Sequence, residues 1–172
     1  MKPWILAIII VVGVYLLLII TNIIFVISFY IIMKKHDKGI NIILKSKFDN
    51  LKSLVSLLKD HGIIFDEEVE SLLKEIDALL LKEFKVNECE SIKKKLSYLS
   101  SLVYSKIEER NDIKELDEFE LLNENITQLD SVYRSNVIMY NADVLGYNYW
   151  VRFLPCRYLW LLFRFKEKDL IS

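Results

Sequence analysis

From Pro3 to Met33 the chain carries no charged side chain: PWILAIIIVVGVYLLLIITNIIFVISFYIIM. Nothing else in the sequence constrains the fold as strongly. As a helix rising about 1.5 Å per residue, this run measures roughly 46 Å, and about 20 apolar residues cross the hydrocarbon of a bilayer. A secretory signal has an apolar core of roughly 7–15 residues and a small-residue cleavage site, and the run fits neither. A core helix of a soluble domain rarely continues this far without one charge. Residues 1–34 therefore read as an uncleaved, single-pass transmembrane anchor, with the lipid bilayer as the first partner.

Orientation follows from the flanks. Before the run stands Lys2 alone; after it come Lys34, Lys35, Lys38, Lys45 and Lys47. The excess of Lys and Arg marks the cytoplasmic side of a span, so the expected location is the cell membrane with the body of the chain in the cytoplasm. Cys89 and Cys156 stand in no paired spacing, which suits a reducing compartment. Asn125-Ile126-Thr127 matches a glycosylation acceptor that this orientation makes irrelevant. Thr21, Asn22 and Ser28 are polar at membrane depth. Thr and Ser can bond back to their own backbone, whereas Asn22 is the best sequence hint of self-association between spans, making a homo-oligomer a candidate assembly.

Beyond Gly39 the apolar positions fall three and four apart, as one buried stripe of a helix does. They run Leu44, Phe48, Leu51, Val55, Leu58, then Phe65, Val69, Leu72, Ile76, Leu79. A second set is Ile92, Leu96, Leu99, Val103, Ile107. The third is Phe119, Leu122, Ile126, Leu129, Tyr133, Val137, Tyr140, Val144, Tyr147, Val151, Leu154. Four glycines and two prolines, where about 12 and about 9 are usual for this length, argue for few turns. The expected class is all-α: an N-terminal transmembrane helix followed, over residues 40–154, by an antiparallel up-and-down bundle. ERNDIK is the expected turn before the last helix. The helix count stays open. Gly62 suits a helix end and Asp66 an N-cap, but Leu58, Gly62, Phe65 and Val69 keep phase straight through. A break gives four helices; continuity gives three long ones.

The stretch YNADVLGYNYWVRFLP, residues 140–155, resembles the C-terminal signature of the LemA family of bacterial membrane-anchored proteins, roughly YN-x2-V-x2-YN-x2-I-x2-FP. Tyr140, Asn141, Val144, Tyr147, Asn148, Val151 and Pro155 match, with Leu154 where the family usually has Phe. LFRFKEKDLI is similar to the family's L-F-G-F-K segment through Leu162, Phe163, Phe165 and Lys166, with Arg164 in place of Gly. KFDNLKSLVSLLK and NDIKELDEF resemble two upstream family runs through Asp49, Leu54, Val55 and Lys59, and through Ile113, Lys114 and Phe119. Lys52 and Asn111 replace the family's prolines, Ser53 its asparagine, and Val137 stands where Arg is frequent. The resemblance covers about residues 40 to 171 and describes a divergent member. It implies a single-pass membrane protein with a cytoplasmic helical bundle, no assigned biochemical activity, and a scaffold role suggested by relatives linked to organelle-like membrane assembly.

A search for chemistry gives little. His36 and His61 are 25 residues apart and fit no metal-binding spacing. There is no glycine-rich phosphate loop, no nucleophile elbow, and no local His partner for either cysteine. The carboxylates Asp66, Glu67, Glu68, Glu70, Glu115, Asp117, Glu118 and Glu120 lack the Glu-x-x-His pairs of a di-iron bundle and read as solvated helix faces. A net charge of −1 favours no nucleic acid. No catalytic, metal or cofactor residue is assigned, and the chain is read as non-enzymatic.

Two places invite a functional reading. Tyr140 and Tyr147 continue the buried stripe, and Asn141 and Asn148 lie at its margin. There they would bond a neighbouring element and fix its register, or meet a partner. Pro155 should end the helix. The tail, residues 155–172, mixes Tyr158, Trp160, Phe163 and Phe165 with Arg157, Arg164 and Lys166. It is too short to span a bilayer; it suits either a membrane interface or a cap folded back on the bundle. The leading expectation is a scaffold or adaptor for membrane or cytoplasmic proteins at the bacterial cell membrane. The alternative is a membrane-surface remodelling or lipid-sensing module acting through the basic-aromatic tail.

Overall fold

The uncharged run continues without interruption into the first packed helix. In the computed structural model, which describes residues 2–82, 86–108, 110–153, 157 and 165–171, helix α1 extends over Pro3–Asp60. It is followed by α2 (Glu67–Leu80), α3 (Val86–Ile107), the single turn α4 (Asn111–Lys114) and α5 (Asp117–Arg152). Every regular element among the described residues is a helix, as the three-and-four spacing requires.

The question of a break near Gly62 has a definite answer. Gly62 has φ +80°, a left-handed conformation that glycine adopts without a Cβ penalty. Its N–H donates to the Lys59 carbonyl at 2.9 Å, and the Ile63 N–H donates to the Leu58 carbonyl at 3.0 Å. These are the two reversed bonds of a Schellman ending, so α1 stops and α2 is a separate helix. The His61 ring also lies 2.9 Å from the Leu57 carbonyl through Nδ1. Asp66 holds the N-cap position with extended backbone (φ −71°, ψ 158°), yet its side chain caps nothing. Its carboxylate lies 3.6 Å from Lys106 Nζ instead. The ERNDIK turn contains α4, pinned by an Arg110–Asp112 ion pair at 2.7 Å.

Contacts divide the chain into two compact units: Met1–His36 with Met139–Leu170, and Asp37–Ile138 with Ile171–Ser172. In the second unit the later part of α1 buries Ile40, Leu44, Lys47, Leu51, Leu54 and Leu58. That alternation of four and three is the seam of a seven-residue repeat. Phe119, Ile126 and Tyr133 of α5 are buried seven apart. Within α3, Cys89, Ile92, Leu96, Leu99 and Val103 are buried. One stripe position differs from expectation: in α2 Leu80 is buried while Leu79 is 36% exposed.

Polar pairs record two antiparallel neighbours in this unit, α2 with α3 and α3 with α5. Lys59 of α1 pairs with Glu70 of α2, and Lys95 of α3 pairs with Glu75 of α2. The Tyr98 hydroxyl donates to Glu68 at 2.7 Å. Between α3 and α5, Tyr104 donates to Asn123 at 2.7 Å, and Lys93 Nζ lies 5.2 Å from the centre of the Tyr133 ring. Lys47 of α1 reaches Asp130 of α5 at 2.6 Å. The lysine side chain is 9% exposed and the aspartate 46%, so the pair offsets the desolvation of an ammonium at the seam. The Cys89 thiol donates to Asn41 Oδ1 at 3.9 Å, and burial first, then the Asp37 charge, pushes it up to about 12. Burial does the same to Tyr133, whose hydroxyl is buried without a hydrogen-bond partner.

Candidate functional site: the α1/α5 collar

In the first unit, the end of α5 lies along the second part of the uncharged run. Asn22 is fully buried, and its Nδ2 donates to the Trp150 carbonyl at 2.9 Å. That carbonyl belongs to the last turn of α5, where helical partners run out; the Phe153 N–H reaches it only at 3.3 Å. Asn22 therefore serves as a side-chain cap for a helix 128 residues away. The amide read from sequence as a hint of self-association is used inside the chain. Thr21 bonds back to the Leu17 carbonyl at 2.9 Å.

Aromatic rings continue the contact. Phe25 stacks on Trp150 with centroids 4.5 Å apart and planes 4° apart, and Trp150 also meets Tyr149 edge-on and Phe153 at a tilt. Tyr30 lies 6.4 Å from Tyr147. Gly146 lets the helices close: a Cβ there would stand 2.6 Å from the Phe29 ring. Further along, His36 Nε2 is 3.4 Å from Asp143 Oδ2. The order 22 with 150, 29 with 146 and 36 with 143 makes the pairing antiparallel.

The Tyr-Asn repeat divides its work as its two halves suggest. Tyr140 and Tyr147 are buried, 5% and 1% exposed, and Asn141 and Asn148 are half-buried at the stripe's margin. Asn148 fixes a register, though not that of a helix. Its Nδ2 donates to the Lys168 carbonyl and its Oδ1 accepts from the Lys168 N–H, both at 2.9 Å. This amide pairs with both backbone groups of Lys168 as another strand would. Arg152 forks onto Glu167, with Nε to Oε1 at 2.7 Å, and the guanidinium holds the Glu167 carboxyl below its ordinary range. Leu145, Tyr149, Phe153 and Leu170 line the groove between tail and helix.

Of the tail residues singled out from sequence, Arg157 and Lys166 are exposed and Phe165 is half-buried. Pro155, Tyr158, Trp160, Phe163 and Arg164 lie outside the described residues, as do Leu154 and Cys156. Sequence reasoning missed the role of Asn22 toward α5, the Phe25–Trp150 stack and the close approach at Gly146. Asn22 offered a signal as the one amide in the uncharged run; Gly146 offered another, a glycine beside Tyr147 in a chain with four glycines. Among the described residues no group of three or more His, Cys, Asp or Glu side chains is arranged to hold a metal ion.

Comparisons with protein-family models, with curated proteins and with solved structures find no match.

Proposed function

We propose that this chain is a divergent LemA-like, single-pass membrane protein. Its helices beyond the anchor form an antiparallel up-and-down bundle in the cytoplasm, where they scaffold protein partners at the bacterial membrane. One observation carries the reading. Leu6 to Leu18 is exposed along its whole length, although the most apolar 18-residue window of α1 has a mean hydropathy of 3.0 and none of it is buried. Bare apolar surface of this extent is unfavourable in water, while in hydrocarbon it costs nothing. The lysines after the run favour a cytoplasmic body, and the seven-residue burial period supports a bundle with coiled-coil-like packing.

The alternative, lipid sensing through the tail, is weakened where Lys168 and Glu167 are engaged by Asn148 and Arg152 of their own unit. The test of the leading reading has two parts. The full chain should stay with membranes through alkaline carbonate extraction, and deletion of residues 2–33 should release it. Affinity capture from crosslinked membranes should return the same partners reproducibly; a full-length chain that extracts with carbonate, or captures nothing specific, contradicts the reading.

A further inference from the structure

The geometry points to a bilayer boundary at Asn22, with the collar formed by Asn22–Met33 and the end of α5 seated on the headgroup layer. The inference rests on the anchoring reading above and refines it: the membrane contact includes α5, not α1 alone. Three observations meet at one level of the helix.

The first is length. Pro3–Thr21 is 19 residues, roughly 28 Å of helix, close to the roughly 30 Å of a hydrocarbon core. The full Pro3–Met33 run exceeds that core by about half again. The second is exposure. Along the bare part Ile10, Val11, Val14 and Leu17 are each more than half exposed, and burial begins at Asn22 and Val26, both fully buried. The third is charge. Arg152, Glu167 and the Lys168 backbone are joined to the last turns of α5, whose Trp150 carbonyl is held by Asn22. If all of Pro3–Met33 lay in hydrocarbon, Asn22 would sit near the midplane and bring these ionised groups with it, against a steep cost. A boundary at Asn22 places them among headgroups.

The aromatic residues fit this placement. Trp and Tyr gather at both edges of a bilayer, and the chain offers one set at each edge. Trp4, 58% exposed, stands beside Lys2. Trp150 stands at the level of Asn22, with Phe25 at 41% and Tyr149 at 63% exposure around it. Trp4 and Asn22 are 18 residues apart on α1, roughly 27 Å. The occupant of the collar's exposed aromatic-basic edge is thus the lipid headgroup layer.

Depth-resolved quenching tests this in phosphatidylcholine vesicles carrying a nitroxide either at the headgroup or near the acyl-chain end. Full-length protein with Trp150 as its sole tryptophan (Trp4→Phe, Trp160→Phe) is compared with protein retaining Trp4 alone (Trp150→Phe, Trp160→Phe). Both tryptophans should be quenched more by the headgroup nitroxide than by the deep one. Trp150 quenched more by the deep nitroxide overturns the boundary, as does Trp150 quenched by neither while Trp4 responds; in both cases the anchor itself stands. Quenching of neither tryptophan removes the anchoring reading, and the boundary with it. The Trp150 protein leaves the collar's own tryptophan intact, and an unchanged helical circular dichroism spectrum verifies its fold.

Discussion

Pro3–Thr21 and Asn22–Met33 belong to one helix and one uncharged run, yet they live in different surroundings. The first stands bare; the second has α5 laid against it, with an amide cap at Asn22, stacked rings at Phe25 and a glycine contact at Phe29. Apolar composition alone therefore does not say which surroundings a segment meets. A run longer than a bilayer needs a reason for its excess, and here the reason is another helix.

The comparison can be broken most forcefully with a single charge. Val11→Lys, at a position 67% exposed in the bare part, should weaken membrane insertion by about 3 kcal/mol. Ile31→Lys, at a position 61% exposed beyond Asn22, should insert like the parent. Carbonate-resistant fractions of the two variants measure the contrast, and equal losses would erase the distinction.

Two glycines sharpen it. Gly146→Ala drives a Cβ into the Phe29 ring and should destabilise the collar by about 1–3 kcal/mol, the range for overpacking. Gly13→Ala meets nothing within 4 Å and should be neutral or stabilising by under about 1 kcal/mol through helix propensity. Thermal unfolding of the reconstituted proteins, followed by helical ellipticity, separates them. Asn22→Ala comes next: it leaves the Trp150 carbonyl without its 2.9 Å donor and should cost about 1 kcal/mol. In the same assay Thr21→Ala, which loses a bond to its own helix, should cost less.

A separate effect belongs to the packed second unit and appears only in alkali. The Cys89 thiol is pushed from an ordinary 9.0 up to about 12 and the Tyr133 hydroxyl from 10.0 up to about 12. The unfolded chain therefore releases these protons before the folded chain does. The contribution of these two groups should be flat below pH 9 and fall as the pH rises from 9 toward 12. Cys89→Ala with Tyr133→Phe should flatten that decline.

Much of this was legible in the residues. The positions three and four apart located the helices because burial is periodic. Tyr140 and Tyr147 fell in the core, with Asn141 and Asn148 at its margin, because helical geometry puts neighbours 100° round. Other features were not legible, and the reason is physical. Periodicity carries no mark of chain reversal, so Leu58, Gly62, Phe65 and Val69 kept phase across a Schellman ending that the φ of Gly62 and two backbone bonds reveal. The partners of Asn22 and Asn148 are set by tertiary approach; nothing near Asn22 in sequence announces Trp150. The Tyr-Asn repeat likewise marks Tyr147 and Asn148 without saying that one lies beside Tyr30 and the other holds the Lys168 backbone.

A run divided between two media at Asn22 must show two different reactivities. Single cysteines at Leu17 and Ile31, each in a Cys89→Ser, Cys156→Ser background, test it most directly. A membrane-impermeant maleimide is added to either side of sealed vesicles bearing the full chain. Ile31→Cys should react from the side holding the helical body, and Leu17→Cys from neither side. Protection of both cysteines, or reaction of both, would contradict it.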